Sequence, residues 1–86
     1  MKVYAVEVSY KYIFDDEESF TDHLFQTEAG ANKRAAELEA KRSRYLELSA
    51  LDNPTPEQQV EEFDLIDHHF NAAYFEVFVS PVEVLP

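Results

Sequence analysis

From residue 2 to residue 14 the chain alternates apolar and polar side chains with scarcely a break, as KVYAVEVSYKYIF. A repeat of two belongs to a strand, because successive side chains of an extended backbone point to opposite faces. Tyr4, Val6, Val8, Tyr10, Tyr12 and Phe14 share one face, and Val3, Ala5, Glu7, Ser9, Lys11 and Ile13 share the other. The first set is a core face and the second is half solvated. That is the pattern of an antiparallel sheet covered on one side. A long aromatic strand of this kind needs neighbours on both edges and a helix layer on its apolar face.

The rest of the chain supplies those parts. Asp15, Asp16, Glu17 and Glu18 form a polar turn, and residues 19–26 return as a second strand. Strict alternation there puts Phe20 and Leu24 on one side, with Thr21, His23 and Phe25 on the other. Thr27 is placed to cap a helix over residues 28–50, with Glu28 at its positive end. Ala31, Ala35, Leu38, Tyr45 and Leu46 fall on one stripe of that helix. Thr55, Pro56 and Gln58 form a capping box with proline at the first helical position, which predicts a second helix over residues 56–69. Val60, Phe63, Ile66 and Phe70 are its expected buried stripe, with Phe63 and Phe70 as core anchors. In residues 73–80, Phe75, Val77 and Val79 oppose Tyr74, Glu76 and Phe78, the pattern of a third strand. Pro81 is expected to interrupt its ladder, with Val82 to Leu85 extending an edge. The expected fold class is α+β: a three-stranded antiparallel sheet with two helices on one face, in the order β-β-α-α-β, and the first strand central.

Eighty-six residues make one domain, 1–86. A chain this short buries only about 60–65% of its unfolded surface, so it needs a dense aromatic core or a partner. Seven Phe and five Tyr answer the first need. Without cysteine there is no disulfide, thiolate metal site or cysteine nucleophile. The opening segment lacks the apolar run of a signal peptide, and no stretch approaches the ~20 apolar residues of a membrane span. The expectation is a cytoplasmic protein.

Charge is distributed unevenly. The net charge is −11, and no lysine or arginine occurs after Arg44. That argues against binding bare nucleic acid or an anionic membrane and for attraction to a basic surface. On the second helix Glu57, Glu61, Asp64 and His68 line a narrow strip, with neighbours about 4.5–6 Å apart by the helix rise. The strip is either an ordinary solvated face or a row of carboxylates presented to a cationic groove that normally holds nucleic acid. A DNA strand offers a phosphate every ~3.4 Å. Close mimicry would therefore need Asp16, Glu17 and Glu18 of the turn as well.

Other groupings carry less. Asp64, Asp67, His68 and His69, with His23 as a third ligand, have no zinc-site spacing, so no metal is expected. No nucleophile has a recognisable context, and a single glycine provides no phosphate cradle; the expectation is a non-enzymatic protein with no cofactor. Lys33, Lys41 and Arg44 form a basic ridge expected to pair with the acidic second helix, and Glu37 is spaced to pair with Lys41. Arg42 falls inside the apolar stripe, which requires its head to snorkel or to be paired. Tyr74 and Phe78 leave aromatic area on the open face of the sheet, near Val3, Ala5 and Ile13.

The MKVYxV opening, the Leu24-Phe25-Gln26-Thr27 entry into a helix with Ala31 and Ala35, and the closing aromatic-valine strand together resemble small acidic accessory proteins of phages and mobile elements. Some of those proteins inhibit host defence, among them anti-CRISPR proteins that occupy nucleic-acid-binding surfaces. The resemblance implies an inhibitor of that kind, with a basic, nucleic-acid-binding protein as its partner. The expected contact residues come from the charge pattern and the open face instead: Glu57, Glu61, Asp64, Asp16, Glu17, Glu18, Tyr74 and Phe78. The alternative is a structural module that forms a homodimer through the sheet, with charge serving solubility.

Overall fold

A computed structural model describes residues 1–85. The chain runs β1 (Lys2–Lys11), β2 (Glu18–Phe25), α1 (Glu28–Ser49), α2 (Pro56–Ile66) and β3 (Tyr74–Glu83). The sheet is antiparallel with β1 in the centre, in the order β2-β1-β3. The fold class is the expected one. β1 ends at Lys11 rather than residue 14, and Phe14 is 96% exposed in the turn.

The covered face holds the core. Val6 and Val8 of β1 are fully buried against Ala31 and Leu38 of α1, Val77 of β3, and Phe70. Small Ala31 and Ala35 let α1 sit close to the strands, and Tyr4, Tyr10, Phe25 and Phe75 close the margins. Both caps form. Gly30 N donates to Thr27 Oγ1 at 3.1 Å, while Gln58 N and Thr55 N exchange bonds with each other's side chains at 3.2 and 2.8 Å.

β2 departs from strict alternation. Val6 pairs with His23 and Glu7 with Thr21, so Asp22 is an extra residue and the ladder bulges there. A bulge reverses the faces beyond it. Phe20 therefore aligns with Val8 on the covered face, whereas Leu24 aligns with Ala5 on the open face. The same bulge turns Asp22 toward α1. Arg34 grips it with Nε and Nη2 at 2.8 and 3.2 Å. The guanidinium holds the Asp22 carboxyl below its ordinary range.

Pro81 does not interrupt β3. It pairs with Tyr4 and the strand continues to Glu83. β3 is an edge, so a residue without an N–H costs it no inner hydrogen bond. Arg42 is resolved as a paired head. Its Nη1 donates to the carbonyls of Phe70 and Ala72, the latter at 2.7 Å, and its guanidinium lies 5.8 Å from the Phe75 ring centroid.

The second helix contradicts its expected face. α2 packs on α1 and on no strand, and it has no buried residue. Val60 is 62% exposed and Phe63 69% exposed. The half-buried positions are Gln58, Glu61, Glu62, Leu65 and Ile66, and of these only Leu65 packs against the core cluster; of the expected stripe on the helix itself, Ile66 alone is not exposed. Phe70 is a core anchor, 1% exposed, but it lies in the turn after the helix. Tyr45 is the last α1 residue packed against the core cluster, and α2 folds back on this overhanging end of the helix. The result is an elongated molecule, 54 × 28 × 14 Å with a radius of gyration of 15.2 Å. A compact domain of this length measures about 12 Å.

Candidate functional site

The overhang is a two-helix arm. Its fixed points are few. Leu48 is buried, and Arg44 binds across from α1 to α2. Arg44 Nε sits 3.1 and 3.0 Å from the two Glu61 oxygens, Nη2 is 2.9 Å from one of them, and Nη1 donates to Glu47 at 3.2 Å. The contact pulls the Glu61 carboxyl below its usual range. The last arginine of the chain is thus spent on two carboxylates, and of the basic ridge expected to pair with α2 it is the one member that does so among the described residues. Glu37 does not pair with Lys41; it accepts from Arg34 Nη1 at 3.4 Å. Lys33 and Lys41 make no ion pair among the described residues.

This changes what the acidic row can present. Glu61 faces Arg44, leaving Glu57 and Asp64 exposed, about two turns or ~10 Å apart. Beside them Pro56, Val60 and Phe63 run along the outward side of α2. Shallow hollows flank this apolar strip, one lined by Pro56, Gln59, Val60 and Phe63 and one by Gln59, Glu62, Phe63 and Ile66. In the free protein the strip covers nothing.

The acidic turn lies at the same end of the molecule. Tyr12 begins that turn, and its hydroxyl contacts His69 Nδ1 at 3.1 Å and Asn71 Oδ1 at 2.9 Å, tying the turn to the segment that follows α2. Asp16 and Glu17 are exposed there, whereas Glu18 accepts from the Tyr10 hydroxyl at 2.8 Å. Glu18 raises the Tyr10 pKa through that bond. Ile13 and Phe14 stand exposed in the same turn. One end of the protein therefore carries free carboxylates and uncovered apolar side chains together. The unexpected members are Val60 and Phe63. Their helical spacing was plain, but it does not tell an inward stripe from an outward one.

Tyr74 and Phe78 do lie on the open face, both about two-fifths exposed. They do not form one patch. Tyr74 aligns with Lys11 and donates to Glu76, and the Ser19, Ser9 and Glu76 row separates it from Phe78. Phe78 belongs instead with Ala5, Val3, Val82 and Leu24 on the following rows. Ile13 is in the turn and outside this group.

Among the described residues no three His, Asp or Glu side chains are grouped to hold a metal. His23 contacts Asp22 at 3.1 Å on β2, and His68 and His69 sit beyond α2. No helix is long and apolar enough to cross a membrane. The chain matches no family model, no curated protein and no solved structure.

Proposed function

We propose that the protein is a non-enzymatic binding module whose helical arm docks on a basic protein surface that also offers an apolar groove. The reading extends to an inhibitor, acting in the cytoplasm, that occupies the nucleic-acid-binding surface of a host protein. The observation that carries it is the outward Val60–Phe63 strip, bordered by Glu57 and Asp64. Burying a Val or Phe side chain yields about 1.5–3 kcal/mol each, which the free protein leaves unused here. The carboxylates serve a different purpose. Rim charges act mainly on the rate of encounter and on its salt dependence. With Glu61 engaged by Arg44, the row is too sparse for close mimicry of a phosphate backbone, so the apolar strip supplies the affinity and the charge supplies the steering.

The test begins with a partner captured at low salt and continues with binding kinetics over a salt series. Glu57→Lys with Asp64→Lys is expected to slow association and flatten the salt dependence. Val60→Ser with Phe63→Ser is expected to speed dissociation. Affinity that ignores both salt and the double charge reversal contradicts the electrostatic half. Unchanged dissociation of the serine pair contradicts the anchor.

A homodimer through the open face has one observation in its favour, the contiguous group of Leu24, Ala5, Val3, Val82 and Phe78. The composition of that face is against it. Ala5 is only 2% exposed, and Glu7, Thr21, Ser80 and Glu76 interrupt the apolar group on the same face. Sedimentation at high protein concentration decides between them, with a monomer expected.

A further inference from the structure

A cavity of about 280 Å³ opens between α1, β2 and the segment after α2. Its floor is aromatic, formed by Phe20, Phe70 and Phe75 over the buried Leu38. An apolar cavity of about 150 Å³ accepts a benzene ring, so this one has room for a ring and a small polar head. Two groups of opposite sign stand at its rim, Lys41 on α1 and Asp67 at the end of α2, and neither has an ion-pair partner among the described residues. The other charged pair that lines it, Asp22 with Arg34, is satisfied internally.

His69 gives the Asp67 side a second acceptor. The Tyr12 hydroxyl donates its one proton to Asn71 Oδ1, so its oxygen accepts from His69 Nδ1–H. With Nδ1 engaged there, Nε2 is the ring nitrogen without a hydrogen-bond partner among the described residues. The ring is fixed in this pose by stacking on Tyr10 at 4.2 Å. Its backbone has φ of 65°, a left-handed conformation usually left to Gly or Asn after a helix. Holding a histidine there costs free energy that the surrounding contacts must supply.

We propose that this cavity binds a free aromatic amino acid. The ring lies on the phenylalanine floor, the carboxylate meets the Lys41 ammonium, and the ammonium meets the Asp67 and His69 acceptors. The overall field selects among ligands. A net charge of −11 opposes a simple anion, and Lys41 opposes a simple cation. A zwitterion of zero net charge meets neither objection and matches both rim groups. The site is separate from the Val60–Phe63 strip, so the proposal stands whether or not the arm binds a protein.

The experiment is a titration followed by amide chemical shifts, with four probes: L-phenylalanine, 3-phenylpropionate, phenethylamine and L-alanine. L-phenylalanine is expected to bind below about 10 mM and to move the amides of Phe20, Lys41 and residues 67–70. Phenylpropionate and phenethylamine, each lacking one charge, are expected to bind about fivefold more weakly, and alanine not at all. Lys41→Met should weaken L-phenylalanine about fivefold and should not weaken phenethylamine, which it relieves of a like charge. Asp67→Asn should also weaken L-phenylalanine about fivefold and should not weaken phenylpropionate. Both positions are exposed, so the fold is retained in each. No shift with L-phenylalanine, shifts centred elsewhere, or equal affinity for the three aromatic probes overturns the proposal.

Discussion

The sheet with the first half of α1 and the two-helix arm use similar side chains to opposite ends. In the first region Val6, Val8, Leu38 and Phe70 interlock, each no more than 5% exposed. In the second, Val60 and Phe63 have the same helical spacing as a core stripe and face outward. The arm is held instead by one buried leucine, Leu48, by Leu65, and by Arg44 clamping Glu61. A chain of this length could place its apolar residues more compactly. The difference shows that hydrophobicity in this protein marks two things, a core and a free surface, and that burial alone separates them.

Substitutions can break that comparison. Phe70→Ala should cost about 3–5 kcal/mol of global stability, read as a large drop in denaturation midpoint. Phe63→Ala should change it by no more than about 0.5 kcal/mol. Similar losses for the two would put Phe63 in a core and remove the distinction. Next in size is the joint between the regions. Arg42→Met leaves the Phe70 and Ala72 carbonyls without their charged donor and should cost about 2–3 kcal/mol. A midpoint like that of the parent would show that the joint is held by packing alone.

Asp22→Asn probes the sheet region through pH. The folded carboxyl is held below its ordinary value by Arg34. Its stabilisation is therefore complete above the unfolded Asp pKa of about 3.9 and is lost as pH falls from there through the lower folded value. The variant should lose about 1 kcal/mol at neutral pH and show a flatter acid limb. An acid limb as steep as the parent's would mean that another carboxylate controls it. The smallest global effect belongs to the arm. Thr55→Ala removes a cap worth about 1 kcal/mol to α2. It should speed amide exchange in residues 57–66 while the global midpoint moves little. A midpoint that falls with α2 protection would tie the arm to global unfolding.

The two regions were also unequally legible. The alternation of residues 2–11 specified the central strand and its buried face, because a one-residue slip would expose Val6 and Val8 together. The Thr27 and Thr55 caps are local chemistry and were readable as such. Arg42 stood out because an arginine inside an apolar stripe needs a partner, though its partners are carbonyls 28 and 30 residues away. The bulge at Asp22 was not readable. One extra residue leaves no local mark, and its reason is Arg34 on the next element. The α2 face was not readable either. Its half-buried positions Gln58, Glu61 and Glu62 are polar, and Glu61 turns to that side because Arg44 meets it across the interface. Of the expected contact residues, Glu57, Asp64, Asp16 and Glu17 remain free, while Glu61 and Glu18 are engaged internally.

Native-state hydrogen exchange on the unmodified protein tests the central claim most directly. The account predicts that α2 amides exchange through local opening, well below the free energy of global unfolding, whereas Val6 and Val8 exchange only with global unfolding. It further predicts that a bound partner protects α2 and leaves the sheet unchanged. Free-state protection of α2 equal to that of β1 would contradict the account, because the arm would then be part of the core and not a surface held ready for another molecule.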